Sequence, residues 1–341
     1  MRTKGHLRWT IFGILLLVGF ACIGAYLIRR PAMAPFTGER PFYVYPGQPF
    51  EAVMDSLEQA GLVRDPGLIR FLAVLTGWNR QIKPGRYVLT ADLSALDLLQ
   101  ILRKGLQRPL DVTIPPGMTM EGLARLLDEA LAFSAAEFLR TLRDERFCAE
   151  LHLDTTRIIG YLFPETYNVY WTISPQALIR RCVEQFRAFF ADSLRQRAER
   201  LGLQEAEVLT LASIVEWEAQ LDRERARIAG VYWNRLRRGW PLQADPTVQF
   251  ALNKRHRRLL VRDYRVPHPY NTYLYPGLPP GPITNPSPAS ILAVLYPEEH
   301  AYYFFVANGD GTHTFSRTHA EHLRAVARYR AWRAARDSVD T

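Results

Sequence analysis

The pattern of apolar and polar positions changes character three times along the chain. From Trp9 to Ile28 (WTIFGILLLVGFACIGAYLI) twenty residues pass without a charge, about the length at which a helix crosses a bilayer's hydrocarbon core. Arg2, Lys4 and Arg8 precede this stretch and Arg29-Arg30 follow it, a slight bias toward a cytoplasmic N-terminus. The run is longer than a signal-peptide core, and the small-residue site Ala32-Met33-Ala34 is followed by Pro35, which disfavours cleavage. Gly19-Phe20-Ala21 is a poor lipid-attachment context for Cys22. The expectation is an uncleaved single-pass anchor (residues 1–30 with its cytoplasmic tip) and a linker (31–40), with the rest of the chain on the extracytoplasmic side of the cytoplasmic (inner) membrane.

Beyond the linker the pattern is that of short strands and amphipathic helices. YVYPGQPFEAVMDSLEQA from Tyr43 and VTIPPGMTMEGLARLLDEA from Val112 place Pro-Gly, Glu51 and Glu121, Leu57 and Leu127, and Ala60 and Ala130 at one constant offset. Each reads as strand, Pro-Gly turn, helix. Between them lie a helical stretch Leu68–Trp78, a strand Arg86–Leu89 and a helix Leu93–Arg103. Together, residues 41–143 predict a small α+β module, either a spacer or a carbohydrate-binding module resembling LysM domains. From Asp144 the chain becomes richer in polar-aromatic loops, predicting a larger mixed domain over 144–341. There Ile158–Trp171 alternates as a strand does, Pro175–Gly202 reads as one long helix, and further helices carry SIVEWEAQ and AGVYWNRLRRG. The loop LQADPTVQFAL comes next, followed by the proline-rich stretch Val266–Pro288. Strands YYFFV and THTFS and a basic helix close the chain. A loop as long as Val266–Pro288 is uncommon without a function and is expected to line a cleft. The fold class is α+β throughout.

SIVEWEAQ poses the chemical question, because Glu216 and Glu218 follow directly on the apolar run Val208–Ala212. At 100° per residue the stripe contains Val208, Ala212, Val215 and Ala219. Glu216 falls at one edge and Glu218 at the opposite edge. Helix geometry therefore does not choose between them. Either carboxyl is placed to touch apolar surroundings, which raise a carboxyl pKa and suit it to acid catalysis near neutrality; either is equally placed to pair with Arg223 or Arg225.

Composition narrows the partners. The net charge is +9, almost all of it arginine, since only Lys4, Lys83, Lys104 and Lys254 are lysines. The basic residues are scattered, with no phosphate loop or zinc spacing, so nucleic acid is not indicated as a partner. Cys22, Cys148 and Cys182 are too few and too far apart for a metal site or a disulfide framework. Cys148 and Cys182 could pair in an oxidising compartment, but as single residues in apolar stretches they read as small core residues. No metal or organic cofactor is implied.

SIVEWEA, VYWNRL, LQADPTVQFAL, YNTYLYPGLPPGPITNP and YYFFVANGDGTHTFSRTHAEH, in that order, resemble the endolytic murein transglycosylases, the MltG or YceG-like family. The resemblance covers the whole chain, from the N-terminal anchor through a LysM-like module to the YLFPETY segment that opens the catalytic domain. It implies a lytic transglycosylase that cleaves the MurNAc–GlcNAc bond of nascent peptidoglycan and leaves 1,6-anhydroMurNAc ends, limiting strand length beside peptidoglycan synthases such as penicillin-binding proteins. It makes the first glutamate of the motif, Glu216, the catalytic acid and base. Glu218, Asn234, Gln243, Asp245, Asn271, Tyr273, His313 and Ser316 become candidates for substrate binding. Trp217, Ala244 and Phe250 depart from the family's usual residues, and Trp217 is a candidate sugar contact. Two alternatives stand beside this one: a hydrolase of the same polymer with Glu218, Asp245 or Glu165 as second carboxylate, and a non-catalytic glycan-binding scaffold.

Overall fold

The structure, a computed structural model, describes residues 12, 14–19, 22, 24, 26, 29–253 and 259–337. Half of the expected anchor, Trp9–Ile28, lies outside the described residues. Among those described, residues 14–19 are helical, with Ile14, Leu15, Leu16, Leu17 and Val18 exposed. No helix of the described residues is long and apolar enough to cross a membrane.

The first compact unit comprises the chain up to Asp111 together with Asn168–Ile173. Strand β1 (Arg40–Val44) turns through Pro46-Gly47 into helix α1 (Phe50–Gln59), and Gly47 takes the left-handed φ of 77° that this turn demands. Helix α2 (Pro66–Thr76) starts on Asp65, whose side chain accepts the Leu68 N–H, with proline in the first turn. Strand β2 (Gly85–Leu89) pairs antiparallel with β1, Arg40 facing Leu89 and Val44 facing Gly85. Helix α3 (Ala95–Lys104) opens on a capping box between Ser94 and Asp97. Val53, Met54 and Leu57 of α1, Tyr87 of β2 and Leu98 and Leu102 of α3 close a single apolar core.

The second unit comprises Val112–Tyr167 and the chain from Ser174. The second strand-turn-helix copy forms as expected: β3 (Leu110–Ile114), Gly117 at φ 72°, and α4 (Met120–Ala130) capped by Thr119. Its residues from Val112 fall in the larger of the two compact units. A local repeat signals supersecondary structure. It does not say with which core its apolar face packs.

Helices α5 (Ala135–Leu142) and α6 (Glu145–Glu150) lead to β4 (Glu165–Val169), the partner of β3. The expected strand over Ile158–Trp171 is therefore short. Ile158–Tyr161 is a 3-10 turn whose four residues are all buried, and Pro164 supplies no ladder N–H. The long helix expected over Pro175–Gly202 is two, α7 (Pro175–Phe189) and α8 (Asp192–Arg200), parted where Phe190 buries its ring against Phe186.

Helix α9 (Glu205–Glu218) is the centre of this unit. Val208 to Val215, eight consecutive residues, are all buried, so the amphipathic stripe read from its sequence gives way to burial on every side. It packs on α10 (Asp222–Arg237), on α11 (Asp245–Ala251) and on α12 (Pro288–Leu295). Gly230 of α10 lets the 298–300 segment approach closely, since a Cβ there would stand 2.4 Å from the Glu298 carbonyl oxygen. Strands β5 (Phe304–Ala307) and β6 (His313–Ser316) form a hairpin packed against α13 (His319–Asp337).

The proline-rich segment after Val266 has no helix until α12 begins at Pro288. Much of it runs through the interior, where Asn271, Thr284 and Asn285 are fully buried or nearly so and satisfy the backbone around them. Asn271 Nδ2 donates to the carbonyls of Tyr264 and Val266 at 3.0 and 2.9 Å. Asn285 Nδ2 donates to those of Pro115 and Leu162 at 2.9 and 3.1 Å. Cys148 and Cys182 are buried and unpaired, and burial raises both thiols, to about 11 and about 12.

Candidate active site

The last turn of α9 carries the two glutamates. Two residues apart on a helix means about 200° of rotation, and the structure puts the two carboxyls into different environments. Glu216 turns toward the start of α12. Its Oε2 accepts from the Ser287 N–H at 2.9 Å, the Ser287 hydroxyl at 2.5 Å and the Ser290 hydroxyl at 2.7 Å. The same oxygen lies 3.1 Å from Arg225 Nη1, and the two side chains are only 7% and 11% exposed. Ser287 is itself the N-cap of α12, accepting from the Ser290 N–H. A carboxylate there is favoured by the helix dipole as well as by the arginine. Glu216 thus joins α9, α10 and α12 at one buried node.

Glu218 turns the other way, into a cavity of about 460 Å³ lined by α9, α10, α11, the β5–β6 hairpin and α13. The Tyr232 hydroxyl donates to its Oε1 at 2.8 Å. Burial pushes the Glu218 carboxyl up to about 7; the tyrosine bond and Arg235 oppose this, and the nearby charge of Asp245 adds to it. A carboxyl with this pKa is populated in both protonation states at neutral pH, which suits a group that must first give and then take a proton.

The cavity wall is organised around Arg235 and Asp245. Arg235 is buried. Its Nε donates to the Tyr303 carbonyl at 2.7 Å and its Nη1 to the Leu242 carbonyl at 2.6 Å, with its guanidinium over the Phe304 ring. Burial lowers its pKa from the usual arginine value, and the surrounding tyrosines and Glu218 work against that. Asp245 accepts from the Tyr273 hydroxyl at 2.6 Å on one oxygen and from the Tyr264 hydroxyl at 3.3 Å on the other. Burial first, and Asp245 second, hold the Tyr273 phenol far above its ordinary range. Gln243 keeps a left-handed φ of 49°, pinned by its N–H to the Thr272 carbonyl at 3.0 Å. A non-glycine residue in that region beside a cavity is local strain held by its surroundings.

Of the residues singled out from the sequence, Glu218, Gln243, Asp245, Tyr273 and His313 meet around the cavity. His313 is held by Glu224, whose carboxylate takes both the His313 N–H at 3.2 Å and Nδ1 at 2.8 Å. The others lie elsewhere. Asn234 secures the loop before β5 by donating to the His300 and Tyr302 carbonyls, both at 2.9 Å. Asn271 holds its own loop, as described above. Ser316 is buried in β6 outside the cavity lining. The Trp217 indole donates to the Gly117 carbonyl at 3.0 Å. Ala244 is fully buried, where an added hydroxyl would need its own partner. The Phe250 ring packs on Tyr270. Glu165 is exposed on β4 and accepts the next residue's N–H.

Sequence reasoning passed over Tyr232, Arg235, His319 and His322, all of which line the cavity. Tyr232 and Arg235 stand inside the VYWNRL motif, three apart and so on one face of α10, which was the available signal. His319 and His322 follow the same spacing on α13. Burial, His319 and Arg235 all lower the His322 pKa, and its Nδ1 is buried without a protein partner.

Comparison with known proteins agrees with this architecture. The model of the YceG-like family matches residues 42–328. A protein of Bacillus subtilis (strain 168) named endolytic murein transglycosylase is 27% identical over 83% of this chain and 82% of its own length. One of the same name from Streptococcus pneumoniae (strain R6) is 27% identical over 95% of this chain, which spans 66% of that relative. The crystal structure of a yceG-like protein from Listeria monocytogenes superposes with a TM-score of 0.61 at 28% identity, covering 84% of this chain and 98% of that one. With a family match running from β1 into α13, this chain belongs to the YceG-like family.

Proposed function

We propose that this chain is a membrane-anchored endolytic lytic transglycosylase of peptidoglycan, with Glu218 as its acid and base. The observation that carries the assignment is the contrast within one helical turn: Glu218 opens on a cavity with its carboxyl raised to about 7, while Glu216 is tied through Oε2 to two serines and an arginine. The substrate class follows from the relatives, which are named endolytic murein transglycosylases.

In this reading, protonated Glu218 donates to the oxygen linking MurNAc to GlcNAc as an oxocarbenium-like sugar develops. The resulting carboxylate then takes the proton of the muramoyl C6 hydroxyl as that oxygen closes on C1, giving a 1,6-anhydroMurNAc end. One carboxyl suffices, because the nucleophile belongs to the substrate. Tyr232 stabilises the ionised form of Glu218 between the two steps, and Gln243, Tyr273 and His313 are placed to orient the strand. Asp245 lies in the same cavity, which keeps a hydrolase reading in play. Both its oxygens already accept from phenols, however, which favours an orienting role over activation of water.

The anchor is read as Trp9–Ile28, with the catalytic unit on the extracytoplasmic face of the cytoplasmic membrane. The first unit is read as a LysM-like module, and the product role as limiting nascent strand length beside the synthases. Mass spectrometry of products from purified murein tests the chemistry. Anhydromuropeptides are expected. Reducing ends in their place would make the enzyme a hydrolase, and no cleavage by the folded full-length protein would leave a glycan-binding scaffold.

A further inference from the structure

Helix α2 is apolar on both faces. Ile69, Leu72 and Ala73 point into the core of the first unit, while Phe71, Val74 and Leu75 are 63%, 64% and 68% exposed. Spaced three and four apart, these outer residues form one continuous stripe. The polar side chains of the helix leave that stripe uncharged. Arg70, its only ionisable residue, is drawn to α1 by three carboxylates, pairing with Glu51 at 2.8 Å, Asp55 at 2.9 Å and Glu58. Thr76 folds its hydroxyl back onto the Leu72 carbonyl at 2.7 Å. A solvent-facing helix with an apolar outer face has an unfilled contact.

What fills it is indicated by where the helix begins. Asp65, the N-cap of α2, is ion-paired with Arg30 at 2.7 Å, so the first turn of α2 is clipped to the residue that follows the anchor. The segment behind Arg30 is tied to the same place. The Arg64 N–H donates to the Ala32 carbonyl at 2.8 Å, the Ala34 N–H donates to the Leu62 carbonyl at 2.8 Å, and Met33 bridges Val63. At about 1.5 Å of rise per residue, the whole stripe lies within roughly 15 Å along the axis from that clip. Exposed Arg64 and Arg80 flank the helix at its two ends, placed as the cations of a helix lying in a lipid headgroup layer are.

We infer that α2 docks its Phe71–Val74–Leu75 face into the outer leaflet of the bilayer that holds the anchor. The apolar side chains would enter the acyl boundary, and Arg64 and Arg80 would stay among the phosphates. This rests on reading Trp9–Ile28 as a membrane span. Tethering by that span makes the contact intramolecular in effect, so a stripe of three residues suffices where it would not hold a free protein.

The test uses the full chain in nanodiscs of mixed neutral and anionic lipid. An environment-sensitive fluorophore is attached at Phe71→Cys or Leu75→Cys in a Cys22→Ser background, or at native Cys22 itself, the buried Cys148 and Cys182 remaining unlabelled. The expected result is quenching of the label at 71 and 75 by lipid-borne nitroxide with loss of access to aqueous iodide. Iodide access at 71 and 75 with lipid quenching at Cys22 would leave the anchor standing and overturn the docking. Lipid quenching at none of the three would remove the anchor reading and the docking together. Shielding of 71 and 75 from both quenchers would mean a protein occupies the stripe and would overturn the lipid assignment. Replacing all three residues by serine should restore iodide access to a label at exposed Gly67→Cys, four residues before Phe71 on the same face; shielding there that persists would also overturn it.

Discussion

Glu216 and Glu218 share a helical turn and a residue type, yet they belong to different kinds of environment. Around Glu216 one oxygen is crowded with partners: an arginine, two hydroxyls and a backbone N–H converge on Oε2. Around Glu218 there is one tyrosine, a cavity, and a second carboxylate near enough to oppose its ionisation. The first arrangement holds three helices together. The second leaves a carboxyl poised between its two protonation states. Saturation and reactivity are opposite uses of the same side chain, and what separates them is which neighbours the fold brings to each side of α9.

The sharpest way to break this contrast is to remove each carboxylate in turn. Glu218→Gln keeps the shape and the tyrosine bond but cannot exchange a proton, so anhydromuropeptide release should fall by about 10²- to 10⁴-fold with the circular dichroism spectrum unchanged. Its stability should respond to pH in a defined sense. The Glu218 carboxyl is raised from 4.5 to about 7 in the fold, so the folded state binds this proton more tightly than the unfolded chain does. The wild-type group therefore favours folding most below pH 4.5, and that advantage is lost as pH rises through 7. The glutamine variant should gain thermal stability relative to wild type on going from pH 5 to pH 8, by at most about 3 kcal/mol.

Glu216→Gln should do the reverse. Taking the charge from a buried pair leaves Arg225, among the described residues, with only the solvent-exposed Asp222 at 2.9 Å as a carboxylate partner, at a cost of up to about 3 kcal/mol, read as a lowered denaturation midpoint. Release per folded molecule should stay close to wild type when measured well below that midpoint. A folded Glu216→Gln without activity, beside an active Glu218→Gln, would exchange the two roles.

The smallest effect is a shift in pH dependence. As acid, Glu218 works only when protonated, so kcat/KM should decline on the alkaline side with a midpoint near 7. Tyr232→Phe removes a hydrogen bond that favours the ionised carboxyl and should move that midpoint upward, with a loss in rate of about tenfold or less. A midpoint unmoved by the substitution would mean that another group sets the alkaline limb.

Local pattern determined much of this protein. The Pro-Gly turns with their left-handed glycines, the two strand-turn-helix copies, the helices around SIVEWEAQ and VYWNRL, and the β5–β6 hairpin all follow from short-range periodicity and turn chemistry, which a neighbourhood of a dozen residues contains. The ordered motifs likewise sufficed for the family, and five of the chosen site residues do meet around one cavity. Tertiary structure decided the rest. It placed the second copy, from Val112, with the larger unit, buried α9 on every side, and turned Asn234 and Asn271 into ties for loops. It also gave the two glutamates their different partners. Ser287 and Arg225 reach Glu216, and Tyr232 and Asp245 influence Glu218, across gaps in sequence of up to 71 residues. A helical wheel fixes the direction in which a side chain points; the pKa and the role of a carboxyl depend on what lies in that direction, and only the folded chain supplies it.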